Sequence, residues 1–384
     1  MDYELPQLHQ QLRDSVRTFA DKEIAPAAHQ LDKEERFSEE LTRQMGALGL
    51  FGILIPQTYG GHGLDYLAYA IACEEVARAD GSQAATITAH NSLGAGPLYY
   101  FGNEAQRKKY LPKLCTGECV WAFGLTEPSA GSDSRGSKTT AKKVDGGWKI
   151  NGSKIFITNA SSKMNAGVTV QAVTGSRGEG KPELSCFIVE AGSKGFTAEP
   201  MHGKLMWRSS DTSTLYFDDV FVPDENLLGK QGDGSKQMLA TLDRGKIGIA
   251  AMGVGCAQGA YEKALAYAQE RNQFGQPIAR FQSIAFALAD MHMKIELART
   301  YLYKVCLMAD AGKPFTKEAA MAKLYASEVA GEVSDMAVQI HGGYGLMEEY
   351  GVARFWRDHR LLRIGEGTSE IQRVIISRAI GCHD

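Results

Sequence analysis

What this chain lacks narrows it first. Its seven cysteines (Cys73, Cys115, Cys119, Cys186, Cys256, Cys306 and Cys382) have no zinc-ligand spacing and do not make an even disulfide set. Buried free thiols in a reducing compartment are expected, and no metal site. There is no surplus of positive charge: the net charge is -3, which removes an electrostatic hold on nucleic acid. There is no long apolar run either. Leu50 to Ile55 stops at Pro56, far short of the roughly 20 residues needed to cross a bilayer, so no membrane span is expected. The N-terminus is acidic where an export or transit peptide is basic, which points to a cytoplasmic chain, or a matrix one if a transit peptide has been removed.

Several catalytic and nucleotide signatures are missing too. Gly253-Val254-Gly255 with Gly259 is not GxGxxG and falls inside a helical pattern, so a Rossmann site is unsupported. The loop Gly229 to Lys236 is not a P-loop, and the chain has neither HExxH nor a GxSxG elbow.

What is present is enough chain for a large core, with 384 residues of which 44% are hydrophobic. Up to about residue 115 the apolar positions recur at helical spacing, as in Leu41, Met45 and Leu48 with Gly49 as a stop. Asp65 and Asn103 stand as N-caps. From about 120 to 230 short β-branched and aromatic runs take over, such as Val168 to Val173 and Thr214 to Val222, and read as strands of a sandwich or barrel. Helical periodicity then returns, with Gly248, Met252, Gly255 and Gly259 along one stripe, as for a close helix crossing. The expected order is an α-helical domain at 1–118, a β-domain at 119–230 and a second helical domain at 231–384.

Three segments carry chemistry, each beside a plainer reading. The run Gly124 to Asp133 (Gly-Leu-Thr-Glu-Pro-Ser-Ala-Gly-Ser-Asp) is either a strand-to-strand turn or a set of N–H and hydroxyl donors for a ligand. In Lys154 to Asn159, strand alternation puts Phe156 and Thr158 on one face, suited to a flat conjugated ligand or to core packing. Glu366, between Gly365 and Gly367 and ahead of a helix capped by Thr368 or Ser369, is either a catalytic acid or a favourable charge at the helix dipole.

Together these segments resemble the acyl-CoA dehydrogenase family over essentially the whole chain. The carriers are residues 125–133, Phe-Ile-Thr-Asn at 156–159, and Phe-Asp-Asp-Val-Phe-Val-Pro-Asp-Glu-Asn-Leu-Leu-Gly at 217–229. They continue with Glu-Arg-Asn-Gln-Phe-Gly at 270–275, Gln-Ile-His-Gly-Gly-Tyr-Gly at 339–345 with Arg357-Asp358, and Glu-Gly-Thr-Ser-Glu-Ile-Gln-Arg at 366–373. The resemblance implies a mainly α fold with a central β-domain and a four-helix C-terminal domain, assembled as a homotetramer. It implies FAD as cofactor, an acyl-CoA substrate and electron-transfer flavoprotein as acceptor.

The resemblance also assigns residues. Glu366 is the base for the α-proton. Phe123, Leu125, Thr126, Gly131, Ser132, Phe156 and Thr158 line the flavin, while Arg271 and Phe274, with Gln339 and Gly343, reach the FAD of a neighbouring subunit. Thr368 and Glu370 fall near its adenosine. Ser132, Asp243, Lys246, Gly365 and Gly367 face the substrate. Phe156 stands where the family often has Trp, Lys246 where Arg is common and Gln273 where a small residue is usual. One subgroup carries its base on the helix near 243–246, where this chain has Gly245. Two rivals remain, an oxygen-using flavin oxidase or monooxygenase on the same scaffold and a silent acyl-CoA-binding flavoprotein. Glutaryl-type relatives place a basic residue in the 83–92 region, where this chain has only His90, so a dicarboxylic substrate is disfavoured. Gly365, where straight-chain members often have Tyr, opens space for a short, branched or cyclic acyl group, or else permits a tight turn.

Overall fold

The computed structural model describes residues 4–178 and 180–382. Seven helices come first: α1 (Gln7–Phe19), α2 (Ala25–Glu34), α3 (Glu39–Ala47), α4 (Tyr66–Ala79), α5 (Gly81–Ala89), α6 (Gly96–Phe101) and α7 (Glu104–Cys115). Their starts follow the local chemistry. The Asp65 carboxylate accepts the Ala68 N–H at 2.8 Å to open α4, and Asn103 with Gln106 makes a capping box for α7. Gly49, at φ 84°, ends the run after α3. A π-helical segment, His90–Ala95, joins α5 to α6.

Eight strands follow: β1 (Val120–Gly124), β2 (Thr140–Val144), β3 (Gly147–Thr158), β4 (Asn165–Ser176), β5 (Pro182–Glu190), β6 (Phe196–Pro200), β7 (Thr212–Pro223) and β8 (Leu227–Leu228). They form one sheet in the order β6-β7-β3-β2-β4-β5-β8, with β1 parallel to β4. Trp148, Ile150, Val170, Phe187, Leu215 and Val220 make its apolar cluster. The strand alternation expected at 156–158 is corrected here. Between Lys154↔Leu215 and Ile157↔Ser213 the register slips, and Phe156 sits at φ 61°, so a bulge replaces simple alternation.

The last segment holds three long helices, α8 (Gly234–Glu270), α9 (Gln282–Asp310) and α10 (Thr316–His341), and two shorter ones, α11 (Val352–Leu362) and α12 (Ser369–Ala379). The glycine stripe of α8 is a helix crossing. A Cβ on Gly255 would lie 2.2 Å from the Glu74 carbonyl oxygen, and one on Gly259 2.2 Å from that of Arg78, so α4 and α8 touch backbone to backbone. Tyr69 and Ile71 of α4 and Ile247 and Met252 of α8 share one core, which joins the first helical segment to the last. Among the described residues all seven cysteines are free thiols, and no helix is long and apolar enough to cross a membrane.

Candidate active site

The turn between α11 and α12 carries Glu366. The Thr368 hydroxyl accepts the Ile371 N–H at 3.3 Å and starts α12, which leaves Glu366 and Gly367 in the gap with φ of 53° and 96°. A left-handed non-glycine residue costs about 1–2 kcal/mol, so something must hold it. Two buried donors do. Lys323 Nζ and Gln372 Nε2 both donate to the Gly367 carbonyl, at 2.7 and 2.8 Å. Lys323 and Gln372 are fully buried.

This turn drives the Glu366 carboxyl inward onto α8. A Cβ built on Gly245 would lie 1.8 Å from Glu366 Oε2, so the glycine is what makes room for the acid. The residue as a whole is half-buried, yet Oε2 is shut away from water and has no hydrogen-bond partner among the described residues. Burial pushes its pKa up to about 7, against the nearby positive charges of Lys323 and Lys246, which pull it down. Burial in turn pushes Lys323 down to about 8. Gly365 is not left-handed, and a Cβ there would meet only Leu361, no closer than 3.5 Å, so no backbone or packing demand requires glycine at that position. Beside it on α8, Lys246 Nζ donates to Asp243 Oδ1 at 2.5 Å and the Thr316 hydroxyl donates to Asp243 Oδ2 at 2.7 Å, so the two expected substrate residues are turned on each other.

A second group forms around the loop after β1. Phe123 is buried at the end of β1, and Leu125 and Thr126 are half-buried just beyond it. Glu127 organises the loop: its carboxylate accepts Lys154 Nζ at 2.7 Å, the Ser137 hydroxyl at 2.5 Å and the Lys138 N–H at 2.7 Å. Lys154 Nζ also donates to the Leu125 carbonyl, and the Ile155 N–H to that of Thr126, which pins the loop beside the Phe156 bulge. Phe156 is 62% exposed, Thr158 is half-buried, and Gly131 and Ser132 lie on the exposed part of the loop. Asn159 Nδ2 then donates to the Thr86 carbonyl at 3.1 Å, while the Thr88 methyl packs on Gly248. Residues 86–88 therefore bridge the end of β3 to the stretch of α8 that receives Glu366.

The structure does not bring Arg271, Phe274, Gln339 and Gly343 to this place. Arg271 caps the far end of α8, roughly 39 Å from Gly245 at about 1.5 Å per residue. Arg271 and Gly343 line a separate cavity of about 460 Å3, with Gln273, His341 and Tyr344. Phe274 is 94% exposed, and Gln339 is an exposed residue of α10. Glu370 is exposed on the first turn of α12. Sequence reasoning missed Lys323, Gln372 and the Glu127–Lys154 pair. A signal for the first was available: Lys323 interrupts the stripe Ala319, Ala322, Ala326, Ala330, at a spacing where the core is expected.

Sequence profiles of the acyl-CoA dehydrogenase N-terminal, middle and C-terminal domains match residues 6–118, 122–220 and 232–381. The chain belongs to the acyl-CoA dehydrogenase family. As a member it is an enzyme of the oxidoreductase class. It is 49% identical to the probable acyl-CoA dehydrogenase YngJ of Bacillus subtilis, over 99% of this chain and 100% of that one. Its fold is similar to the butyryl-CoA dehydrogenase from Megasphaera elsdenii (TM-score 0.95, 43% identity, 99% and 100% of the two chains). It is also similar to a chain from a structure described as the electron transferring flavoprotein of Acidaminococcus fermentans (0.96, 42%, 100% of both). A third is a glutaryl-CoA dehydrogenase from Mycobacterium smegmatis in complex with FADH2 (0.93, 28%, 99% and 96%).

Proposed function

We propose that this acyl-CoA dehydrogenase oxidises a short acyl-CoA to the trans-2-enoyl-CoA, with the Glu366 carboxylate removing the α-proton. The observation that carries the reading is a buried carboxyl oxygen with no partner among the described residues, at a pKa near 7 and backed by a glycine. A base poised near working pH combines a useful ionised fraction with real basicity. Position 245 of α8 cannot carry the base instead, because Glu366 itself fills the space a side chain there would need.

The cofactor is FAD, which accepts the β-hydride when bound. The residues suit it: Phe156 stands out from its bulge as an exposed aromatic face, with the half-buried Thr158 two residues on, the half-buried Thr126 tied to the same strand by the Ile155 N–H, and the Gly131–Ser132 loop exposed. Lys154 and Glu127 hold that loop in place. Electron-transfer flavoprotein is the proposed acceptor. The proposed assembly is a homotetramer, in which Arg271, at the end of α8 far from Glu366, and Gly343, lining the same cavity as Arg271, would serve the site of a neighbouring subunit.

Two features bear on the acyl group. The absence of a side chain at Gly365, next to the proposed base, favours a branched or cyclic chain beside the α- and β-carbons. His90, the one basic residue of its segment, is fully buried and its pKa is pushed down to about 3, so it stays neutral and offers no charge to a distal carboxylate.

The test is Glu366→Gln, which keeps the shape and deletes the base. The variant is expected to fold and hold FAD while anaerobic bleaching by butyryl-CoA or isovaleryl-CoA falls by at least about a hundredfold. Bleaching within about tenfold of wild type sinks the assignment.

A further inference from the structure

Beyond Glu366, two buried side chains that no step above uses pack on α8. Tyr69 of α4 and Thr88 of α5 are both fully buried, and both press on the backbone of α8 at Gly248. A Cβ there would lie 2.4 Å from the Tyr69 hydroxyl and 2.5 Å from the Thr88 methyl. Each is fixed by its own bonds. The Tyr69 hydroxyl donates to the Thr88 carbonyl at 3.0 Å, the Ser92 hydroxyl donates to the same carbonyl at 2.8 Å, and the Thr88 hydroxyl donates to Cys73 Sγ at 3.2 Å.

Gly248 lies one helical turn beyond Gly245, the residue on which the Glu366 carboxyl rests, so this packing stands only about 4.5 Å further along α8. The two places lie side by side on one face of α8. Burial pushes the Tyr69 and Cys73 groups up in pKa, and the Glu366 charge adds to the rise in both. Asp243, expected to face the substrate, lies in the other direction along α8 and is held by the Thr316 hydroxyl.

We infer that Tyr69 and Thr88 form the floor of the acyl pocket and limit the substrate to a short chain, because the phenol and the methyl pressed on Gly248 occupy the volume a longer chain needs. This rests on Glu366 marking the α-carbon. Depth is thus set by Tyr69 and Thr88 while width is set by Gly365, and the two can be changed separately.

The experiment uses the FAD-loaded full chain and reads a ratio, kcat/KM for hexanoyl-CoA over butyryl-CoA. Tyr69→Leu is expected to raise that ratio at least about tenfold, the scale on which one or two methylenes are discriminated by an apolar pocket. An unchanged ratio in a variant that melts cooperatively and keeps its flavin overturns the floor. If Tyr69→Leu does not fold, Thr88→Ser decides, since it removes only the methyl against Gly248 and keeps the hydroxyl. It is expected to raise pentanoyl-CoA over butyryl-CoA about threefold or more, and no change overturns the inference. Failure of the base reading looks different: Glu366→Gln then stays active whatever the ratios do.

Discussion

The chain buries two carboxylate–lysine sets and uses them in opposite ways. At Glu127 the lysine meets the acid: Lys154 Nζ lies 2.7 Å from Oε1, and both side chains are almost wholly buried. Burial works to raise that carboxyl, but the Lys154 charge and the bonds from Lys154, Ser137 and the Lys138 N–H hold it at about 2. At Glu366 an equally buried lysine, Lys323, is diverted to the Gly367 carbonyl, and the acid keeps an empty oxygen near pKa 7. The first arrangement fixes a loop; the second leaves a carboxyl oxygen open for the proton transfer proposed for it. Pairing, more than burial, separates the structural acid from the proposed base.

Breaking the first set has the largest expected effect. Lys154→Met leaves Glu127 buried and unpaired, and removal of one partner of a buried pair costs about 3–5 kcal/mol. Urea unfolding is expected to show a loss of that size together with weaker FAD retention. A loss under about 1 kcal/mol removes the contrast on which the comparison stands.

Lys323→Met attacks the other set with a smaller effect on folding and a kinetic signature. Without its donor the Gly367 carbonyl no longer anchors the turn, and a displacement of about 1 Å at a reacting group can cost a hundredfold in rate. A fall in kcat of about 10- to 100-fold is expected. Because Lys323 lowers the Glu366 pKa, its removal also moves the pH-rate inflection upward. Lys323→Arg is expected to recover part of both. A rate loss with no movement of the inflection assigns Lys323 to folding alone.

Much of this was legible in the sequence. Asp65, Asn103 and Thr368 announced their helices because a side-chain oxygen ahead of a helical run has few other uses. The α, β, α order followed from periodicity, and the motif at 366–373 singled out the acid. What stayed hidden depends on chain segments far apart in sequence. That Gly245 makes room for Glu366, that Lys323 holds Gly367, and that Lys154 neutralises Glu127 are all relations between distant positions. The bulge at Phe156 was hidden for another reason: an alternating pattern carries no mark of one left-handed residue that resets its register.

A smaller effect sharpens the comparison around Glu366. A Cβ on its neighbour Gly365 would make only ordinary contact with Leu361, whereas Glu127 is walled in by its donors. Gly365→Tyr is therefore expected to fold normally and to lower kcat/KM for isovaleryl-CoA about tenfold more than for butyryl-CoA, since crowding penalises the bulkier chain. Equal losses on both substrates make Gly365 a requirement of the turn and leave branching unexplained.

The central claim, that Glu366 is a buried base left unpaired, is tested most directly by the pH dependence of kcat/KM in the free enzyme. The base acts only when ionised, so with its pKa near 7 the activity should be low in acid and rise through an inflection near pH 7. That inflection should be absent from the residual activity of Glu366→Gln. An inflection at the ordinary carboxylate value near 4.5, or one near 7 that survives in Glu366→Gln, contradicts the account.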